Sequence, residues 1–390
     1  MAEAPGRART RVLMLVDSLY DGTGGAERFA VGLAAALPPE RYEVAVCATR
    51  TSEGSLPAGL EAAGVGQFAL GRRGRFDVLP FGRLARHLRR ARIDVLHCHK
   101  FGSNVWGTLI GRAAGVPVVI AHEHTWSYEG QPLRRFLDGR VVGRLAHRFV
   151  AVSEADRRRM VQVEHVPEER TLTIPTGYVP RTEAAGGDLR AELGVDDGTP
   201  LVGTVAQLRP QKALDVLIDA FARLPEELGP GRLVIAGEGP SRADLEQAAA
   251  RLGVAERVHL LGTRTDVSAI LAALDVAAMS SDFEGLPLFA FECMTSGTPL
   301  VATNVGGLPE VIDDGETGLL VPARDPAALA SALERLLRDP ALRERLAAAA
   351  RERARDYELP AIAARFGRLY DELLAERGVS GRGPAATSRG

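Results

Sequence analysis

Short apolar runs alternate with stretches of helical periodicity along nearly the whole chain, and the alternation starts again after residue 180. RVLMLV (11–16) leads into a helical pattern over 25–37. VAVCA (44–48), VLHCH (95–99), PVVIA (117–121), HRFVAVS (147–153) and RTLTIP (170–175) continue the series. The second round is LVGTVA (201–206), a helical pattern over 212–224, RLVIAG (232–237), RVHLLG (257–262), DVAAMS (275–280), PLVAT (299–303) and TGLLVPA (317–323). Continuous β-branched runs, rather than strict apolar–polar alternation, mark strands buried on both faces. Strands interleaved with helices build βαβ units and parallel sheets. The pattern therefore predicts an α/β protein of two tandem Rossmann-like, doubly wound domains, 1–180 and 181–355. They are joined through the Gly-, Asp- and Pro-rich stretch near 180–200. Ligands of such sheets bind beyond the carboxyl ends of the strands, so the two domains are expected to face each other across a cleft. Residues 356–377 predict an amphipathic helix with Ile362, Phe366, Leu369, Tyr370 and Leu373 on one stripe, packing back across the domains. Residues 378–390 predict a disordered tail.

Bulk composition narrows the function class. A net charge of -2 with 25% charged residues argues against nucleic acid as a partner. The charge is uneven: residues 1–180 hold 25 Lys+Arg against 18 Asp+Glu, and the rest hold 23 against 32. Three separated cysteines, Cys47, Cys98 and Cys293, offer neither a disulfide framework nor a zinc spacing. The first apolar run is shorter than the roughly seven to fifteen residues of a signal peptide. A cytoplasmic location is expected, with a peripheral position at the inner membrane face left open by the basic first half. Of 48 basic residues only Lys100 and Lys212 are lysines. In such an arginine-rich chain a lysine can mark a place where a compact ammonium is wanted.

Four segments carry candidate chemistry. SDFEGLPLFAFECMTSG (281–297) keeps Glu284 and Glu292 in a largely apolar run. A helix expected from Pro287 to Gly297 would leave the N–H groups of Gly285 and Leu286 free for a phosphate. The two carboxylates would then meet hydroxyls on either side, as a nucleoside diphosphate sugar requires. The plainer alternative is that Glu284 caps the helix and Glu292 is half exposed. Arg209 and Lys212 flank another helix start, where cations oppose the dipole and suit a diphosphate leaving group. The loop after the first strand holds Gly22, Gly24 and Gly25 but is neither GxGxxG nor a P-loop. Finally, HCH (97–99) and HEH (122–124) stand at strand ends. Residues i and i+2 share a strand face, so a metal is conceivable, yet no Cys or carboxylate set completes it. A histidine poised toward sugar or acceptor is the preferred reading. Arginine-dense RFDVLPFGRLARHLRRAR (75–92) and LRRFLDGRVVGR (133–144) read as solvated helix faces, or as faces lying on anionic membrane.

In order and spacing these segments resemble the retaining, GT-B-fold glycosyltransferases called group 1, family 4. EGLPLFAFE is similar to that family's E-x7-E motif at Glu284 and Glu292, followed by CMTSGTPLVATNVGGLPEVI and GETGLLVP. LVIAGEGPSRADLE resembles its glycine-rich segment near the nucleotide base, at Gly237 and Gly239. GGAER resembles its diphosphate-facing loop, at Gly24 and Gly25. IAHEHT places His124 at the family's active-site histidine, with His122 the other register. The resemblance implies that Glu284 binds donor-sugar hydroxyls, Glu292 binds ribose, and an Arg/Lys pair holds the diphosphate. Lys212 matches the lysine. Gln207 stands where the arginine usually lies, with Arg209 two positions on, and Thr176 stands where asparagine is common.

It further implies retaining transfer of a hexosyl-type sugar from a nucleotide-diphosphate sugar, such as a UDP- or GDP-sugar, in glycoconjugate synthesis. Residues 1–180 would bind the acceptor, lipid-linked or polysaccharide, and residues 181–355 the donor. No cofactor is implied and no metal is required, and the chain holds no D-x-D triplet. A sugar-nucleotide epimerase, a phosphorylase-like enzyme and a non-catalytic sugar-nucleotide binder are the competing classes.

Overall fold

The computed structural model describes residues 9–19, 25–52, 55–74, 77–124, 131–178 and 187–379. The chain divides into two compact units: Met1–Tyr178 with Glu358–Gly390, and Val179–Tyr357. Unit 1 contains a seven-stranded parallel sheet of β1 (Thr10–Val16), β2 (Tyr42–Ala48), β3 (Gly66–Ala69), β4 (Val95–His99), β5 (Val118–Glu123), β6 (Arg148–Ala151) and β7 (Thr171–Thr173). Its spatial order is β3-β2-β1-β4-β5-β6-β7. Unit 2 contains β8 (Leu201–Val205), β9 (Arg232–Ala236), β10 (Val258–Gly262), β11 (Val276–Met279), β12 (Leu300–Thr303) and β13 (Leu319–Val321), in the order β10-β9-β8-β11-β12-β13. Both are Rossmann-like windings. In each the direction of winding reverses once, between β1 and β4 and between β8 and β11, and that switch point is where such sheets hold ligands.

The strands form where the continuous apolar runs lie, because both faces of each sheet are covered. Val12 to Val16 and Val118 to Ala121 are fully buried. β3 is absent from the sequence reading: GQFA is short, opens on glycine and lacks β-branched residues, so its pairing with β2 makes it a strand. The stretch read as a linker contains the helix Leu189–Leu193, whose Arg190 guanidinium pairs with Asp275 at 3.0 Å within unit 2.

The C-terminal helix, Leu359–Glu376, belongs to unit 1. Its stripe of Leu359, Ile362, Phe366, Leu369 and Tyr370 joins Val12, Met14, Leu33 and Tyr42 in one core. Tyr42 Oη donates to the Gly367 carbonyl at 3.1 Å. A side chain at Gly32 would stand 2.7 Å from Leu359, so glycine there lets the helix seat. Each buried Leu or Phe on that stripe is worth about 2 kcal/mol. The predicted tail from residue 380 onward lies outside the described residues. A cavity of about 410 Å³ in unit 1 is lined by Arg9, Val12, Tyr42, Val65 and Ile93 at the amino ends of the strands, the edge opposite to ligand sites of this architecture.

Candidate active site

In unit 2 the loops after β8 and β11 meet at the switch point. The chain leaving β8 is held by backbone pairing with the chain leaving β9. Ala206 N donates to Ala236 O at 2.9 Å, Leu208 N to Glu238 O at 3.0 Å and Ser241 N to Leu208 O at 3.0 Å. This approach explains Gly237 and Gly239. A Cβ at 237 would stand 1.9 Å from the Ala206 carbonyl oxygen, and one at 239 would stand 2.3 Å from that of Leu208. Gly237 also has φ +140, a conformation side chains rarely adopt. Both glycines therefore shape the loop that carries Arg209 and Lys212.

That loop makes a single tight turn, Pro210–Lys212, and then Ala213 adopts a left-handed φ of 45. Strain of this kind persists only where the surroundings over-determine it, and here they do. Gln211 Nε2 donates to Phe283 O at 2.9 Å, Asp282 N to Gln211 O at 2.9 Å and Ser280 Oγ to Lys212 O at 2.9 Å. Stitched in this way, Lys212 places its Nζ 2.5 Å from Glu284 Oε1, which also accepts from Ser281 Oγ at 2.6 Å. Glu284 is 5% exposed, so the ammonium supplies the charge that its burial requires. Thr303 Oγ1 fixes the Ser281 carbonyl at 2.7 Å. Gly306 lies so close that a Cβ there would be 1.6 Å from the Glu284 carbonyl oxygen.

The Gly285 carbonyl accepts from Gly307 N at 2.9 Å, whereas the N–H groups of Gly285 and Leu286 donate to no group among the described residues. The helix that follows is Leu288–Ser296, with Pro287 as its extended N-cap rather than its first helical residue, and Gly297 left-handed at its end. Glu292 lies on this helix, half buried. Arg209 is exposed and enters no ion pair among the described residues; Gln207 is exposed as well. A neighbouring network was not anticipated from sequence. Arg324, at φ 59, forms a bidentate pair with Asp282 and reaches Asp215 at 3.3 Å. Nothing in its sequence context, VPARDP, signals this pairing.

Unit 1 places a different assembly at its own switch point. His97 and His99 on β4 and His122 on β5 share one sheet face, with His99 directly opposite His122. All three are fully buried. His124 follows the end of β5, its Nε2 3.0 Å from His99 Nδ1. His97 Nδ1 is 2.8 Å from Tyr370 Oη on the C-terminal helix. Phe29 and Phe366 pack against the rings, while the Asn104 side chain bonds both the N–H and the carbonyl of His122. Burial in this apolar setting drives all four imidazoles toward the neutral form: His99 down to about 3, and His97, His122 and His124 well below the usual value. Ring nitrogens of His97, His99 and His122 lie within 4.8 Å of one another, so these three buried imidazoles form a group that could hold a metal ion.

Beside the cluster, Lys100 takes φ 71 and places its Nζ 2.7 Å from Glu27, which is 3% exposed. The other lysine of the chain thus also pairs with a buried glutamate. Gly25 opens the helix Gly25–Ala36; Gly22 and Gly24 lie outside the described residues. The sequence reading found the histidines, and Phe366 and Tyr370 as part of a helical stripe, but did not bring that stripe to the histidines and missed Phe29 and Asn104. Thr176 is buried at the end of unit 1.

Two Rossmann-like parallel units in one chain, with charged and hydrogen-bonding groups gathered at the switch points, define the GT-B class of fold. Residues 187–353 match the family described as Glycosyl transferases group 1, and residues 23–181 match Glycosyltransferase Family 4. Alpha-D-kanosaminyltransferase of Streptomyces kanamyceticus is 31% identical over 315 residues, covering 74% of this chain and 80% of that one. Phosphatidyl-myo-inositol mannosyltransferase of Mycobacterium leprae is 30% identical over 379 residues, 93% of this chain and 97% of that one. Among solved structures, Anabaena Alr3699/HepE in complex with UDP and glucose superposes with a TM-score of 0.81 at 22% identity, covering 93% of this chain and 100% of that one. Sucrose-phosphate synthase from Thermosynechococcus elongatus gives 0.80 at 23%, covering 94% and 100%. The chain belongs to the group 1 glycosyltransferases, and it is a transferase of the GT-B fold.

Proposed function

We propose that the protein moves a hexosyl-type sugar from a nucleotide-diphosphate sugar to an acceptor hydroxyl with retention of anomeric configuration, in glycoconjugate synthesis. The observation that carries this reading is the Lys212–Glu284 pair at 2.5 Å beside the uncommitted N–H groups of Gly285 and Leu286. In this reading the diphosphate accepts from those N–H groups at the start of the helix Leu288–Ser296, where the dipole favours an anion. Lys212 neutralises it, helped by Arg209, whose exposed side chain is uncommitted to any ion pair among the described residues. Glu284 accepts from sugar hydroxyls and Glu292 from the ribose. Gly237 and Gly239 act through the loop they permit, and Gly25 through the helix it opens. The bond from the anomeric carbon to the phosphate oxygen breaks and its electron pair leaves with the diphosphate. The acceptor oxygen then bonds that carbon from the same face, and its proton passes to the departing phosphate oxygen. His124, on the unit assigned to the acceptor, stays neutral and so can accept a hydrogen bond from a hydroxyl. No metal is needed, because Lys212, Arg209 and the two N–H groups supply the positive potential.

A solved GT-B neighbour is described in complex with UDP-glucose, which supports starting with UDP-sugars. A panel of UDP-, GDP- and ADP-sugars scored by thermal shift tests donor binding; a donor at ~100 times its dissociation constant stabilises by about 2.7 kcal/mol. Glu284→Gln and Lys212→Ala should each lower turnover at least ~100-fold, about 2.7 kcal/mol of transition-state stabilisation. Wild-type turnover in either variant rejects the assignment. Donor conversion without acceptor, giving an epimerised sugar nucleotide, would replace the transferase reading.

A further inference from the structure

His147 stands just before β6, and its backbone N–H donates to the Val119 carbonyl of β5 at 2.8 Å. The strand returns a bond, because Val119 N donates to His147 Nδ1 at 2.8 Å. Val119 is fully buried, and a buried backbone N–H needs an acceptor. That bond occupies the lone pair of Nδ1. Burial first, and then the neighbouring Arg112 and Arg377, push the imidazole pKa down to about 4, so the ring holds one proton at neutral pH. With Nδ1 accepting, the proton sits on Nε2.

Two guanidinium groups nevertheless point at Nε2. Arg112 Nη1 lies 2.8 Å from it and Arg377 Nη2 2.7 Å. A guanidinium has no lone pair to offer, so three N–H donors converge on one point and none of the three groups can accept. Neither arginine enters an ion pair among the described residues, and the carboxylate of the adjacent Glu376 is taken by Arg148 at 3.3 Å. A third guanidinium, that of Arg170, adds its charge to the surroundings of the ring. It is held in place by donating to Arg144 O at 2.7 Å and Ala146 O at 2.9 Å. Arg377 Nε is likewise tied to Pro117 O at 3.4 Å.

Arg112 lies in the last turn of the helix Phe101–Ala114, and Arg377 caps the carboxyl end of Leu359–Glu376, where cations suit the helix dipole. The dipole accounts for a cation at each helix end. It does not account for both reaching one ring nitrogen that already carries a proton, an arrangement that repels itself unless an anion lies among the charges.

We propose that Arg112, Arg377 and the Nε2–H of His147, with the charge of Arg170 in support, form a binding site for a phosphate group. Guanidinium forks match the oxygens of an oxyanion, and a dianionic phosphate balances three guanidinium charges better than a carboxylate does. Arg112 and Arg377 are exposed, so the site opens to solvent. It lies at the amino ends of β5 and β6, whereas the histidine cluster lies at the carboxyl ends, so it is independent of the reaction proposed above. Phosphate held here ties the end of the C-terminal helix to the edge of the sheet.

Calorimetric titration of the purified full chain with sodium phosphate, against sodium chloride at matched ionic strength, tests the site. Saturable binding is the expected result, and Arg112→Gln with Arg377→Gln should weaken it by about tenfold or more. The donor site proposed in unit 2 offers phosphate a second place, so the titration is repeated on Lys212→Ala, where binding should persist. Glucose 1-phosphate in place of the ion distinguishes the source. Tighter binding of the ester assigns the site to a phosphorylated small molecule, tighter binding of the ion to free phosphate, and either supports it. Selective ¹⁵N labelling of histidine should show His147 as the Nε2–H tautomer, its signals shifted by phosphate in the wild type and not in the double variant. Urea unfolding in chloride checks that the two exposed substitutions leave the fold intact. Absence of saturable binding overturns the proposal. So does binding that the double variant keeps, binding that Lys212→Ala abolishes, or a proton found on Nδ1 of His147.

Discussion

The two units share a buried lysine–glutamate pair and differ in what surrounds it. Each is a parallel Rossmann-like sheet with polar side chains buried at its switch point. Unit 2 keeps its charge and pairs it: Glu284 receives Lys212 and Ser281, and the loops around it are locked by backbone contacts that admit only glycine. Unit 1 also pairs a lysine, Lys100, with a buried glutamate, Glu27, but it sets beside that pair a neutral cluster: four imidazoles pack together among Phe29, Phe366 and Tyr370, and burial keeps them uncharged. A buried ion pair is stiff but fails when one partner is lost. A neutral cluster tolerates loss of a member but is exposed to acid. The units should therefore break under different challenges.

The strongest challenge to unit 2 is Gly306→Ala. A Cβ there meets the Glu284 carbonyl oxygen at 1.6 Å, and φ is +55, so neither a rotamer nor a small shift accommodates it. We expect loss of more than ~4 kcal/mol, the range reserved for gross steric faults, in urea unfolding followed by a probe in unit 2. Retention of wild-type stability would show that the Glu284 loop is not locked. Next in size is Lys212→Met, which strands Glu284 and should cost about 3 kcal/mol. Adding Glu284→Gln should recover most of that loss in a double-mutant cycle. Arg209→Ala, at an exposed side chain, should stay within about 0.5 kcal/mol. Equal costs at 209 and 212 would break the contrast between paired and unpaired cations.

The legibility of the two sites in sequence follows from how far apart their parts lie. All six strands of unit 2 fall on continuous apolar runs, and Glu284, Gly285 and Leu286 sit on one turn whose residues are neighbours in the chain. The glycines at 237, 239 and 306 were visible as glycines, but their reason was not. Each makes room for a carbonyl some thirty or twenty positions away, at Ala206, Leu208 and Glu284. In unit 1, HCH and HEH were visible because period-two spacing puts them on one face. Tyr370, which meets His97, comes from the far end of the chain. Its stripe was readable as amphipathic, but periodicity says which face a helix buries and not which sheet receives it. Edge strand β3 escaped because its sequence has no strand preference and its pairing with β2 is a tertiary effect.

Acid should separate the units next. A histidine whose folded pKa lies below its unfolded value of about 6.5 adds stability that is fully present above that pH and is lost as pH falls. With His99 at about 3, lowering the pH from 6.5 to 5 removes about 2 kcal/mol through this residue alone. His97, His122 and His124 act in the same direction. Asp138 acts in the opposite one. Its folded pKa of about 9 is raised, so its contribution improves as pH falls through the same window and offsets one histidine. The net is a steep loss in unit 1 and a shallower one in unit 2, where the described histidine with a lowered pKa is the partly buried His259. Unfolding at pH 6.5 and pH 5, followed by probes in each unit, measures the difference; parallel slopes would mean that the cluster is already hydrated or charged.

The smallest expected effect sharpens that comparison most. His122 has two ring nitrogens, Nδ1 and Nε2, and neither finds a partner in the interior. Its place is held instead by the sheet, by Asn104 on its backbone and by contact with Phe29 and Phe366. Replacing a buried polar group that makes no hydrogen bond by an apolar one of similar size is close to neutral. His122→Leu should therefore change the stability of unit 1 by less than about 1 kcal/mol at neutral pH. It should also reduce the acid slope by one proton, about 1.4 kcal/mol per pH unit below 6.5. The second result is specific, because a simple packing fault would lower stability equally at every pH. A cost above about 2 kcal/mol with an unchanged slope would show that the imidazole is held by a bond of its own, and unit 1 would then join unit 2 as a site built on pairing.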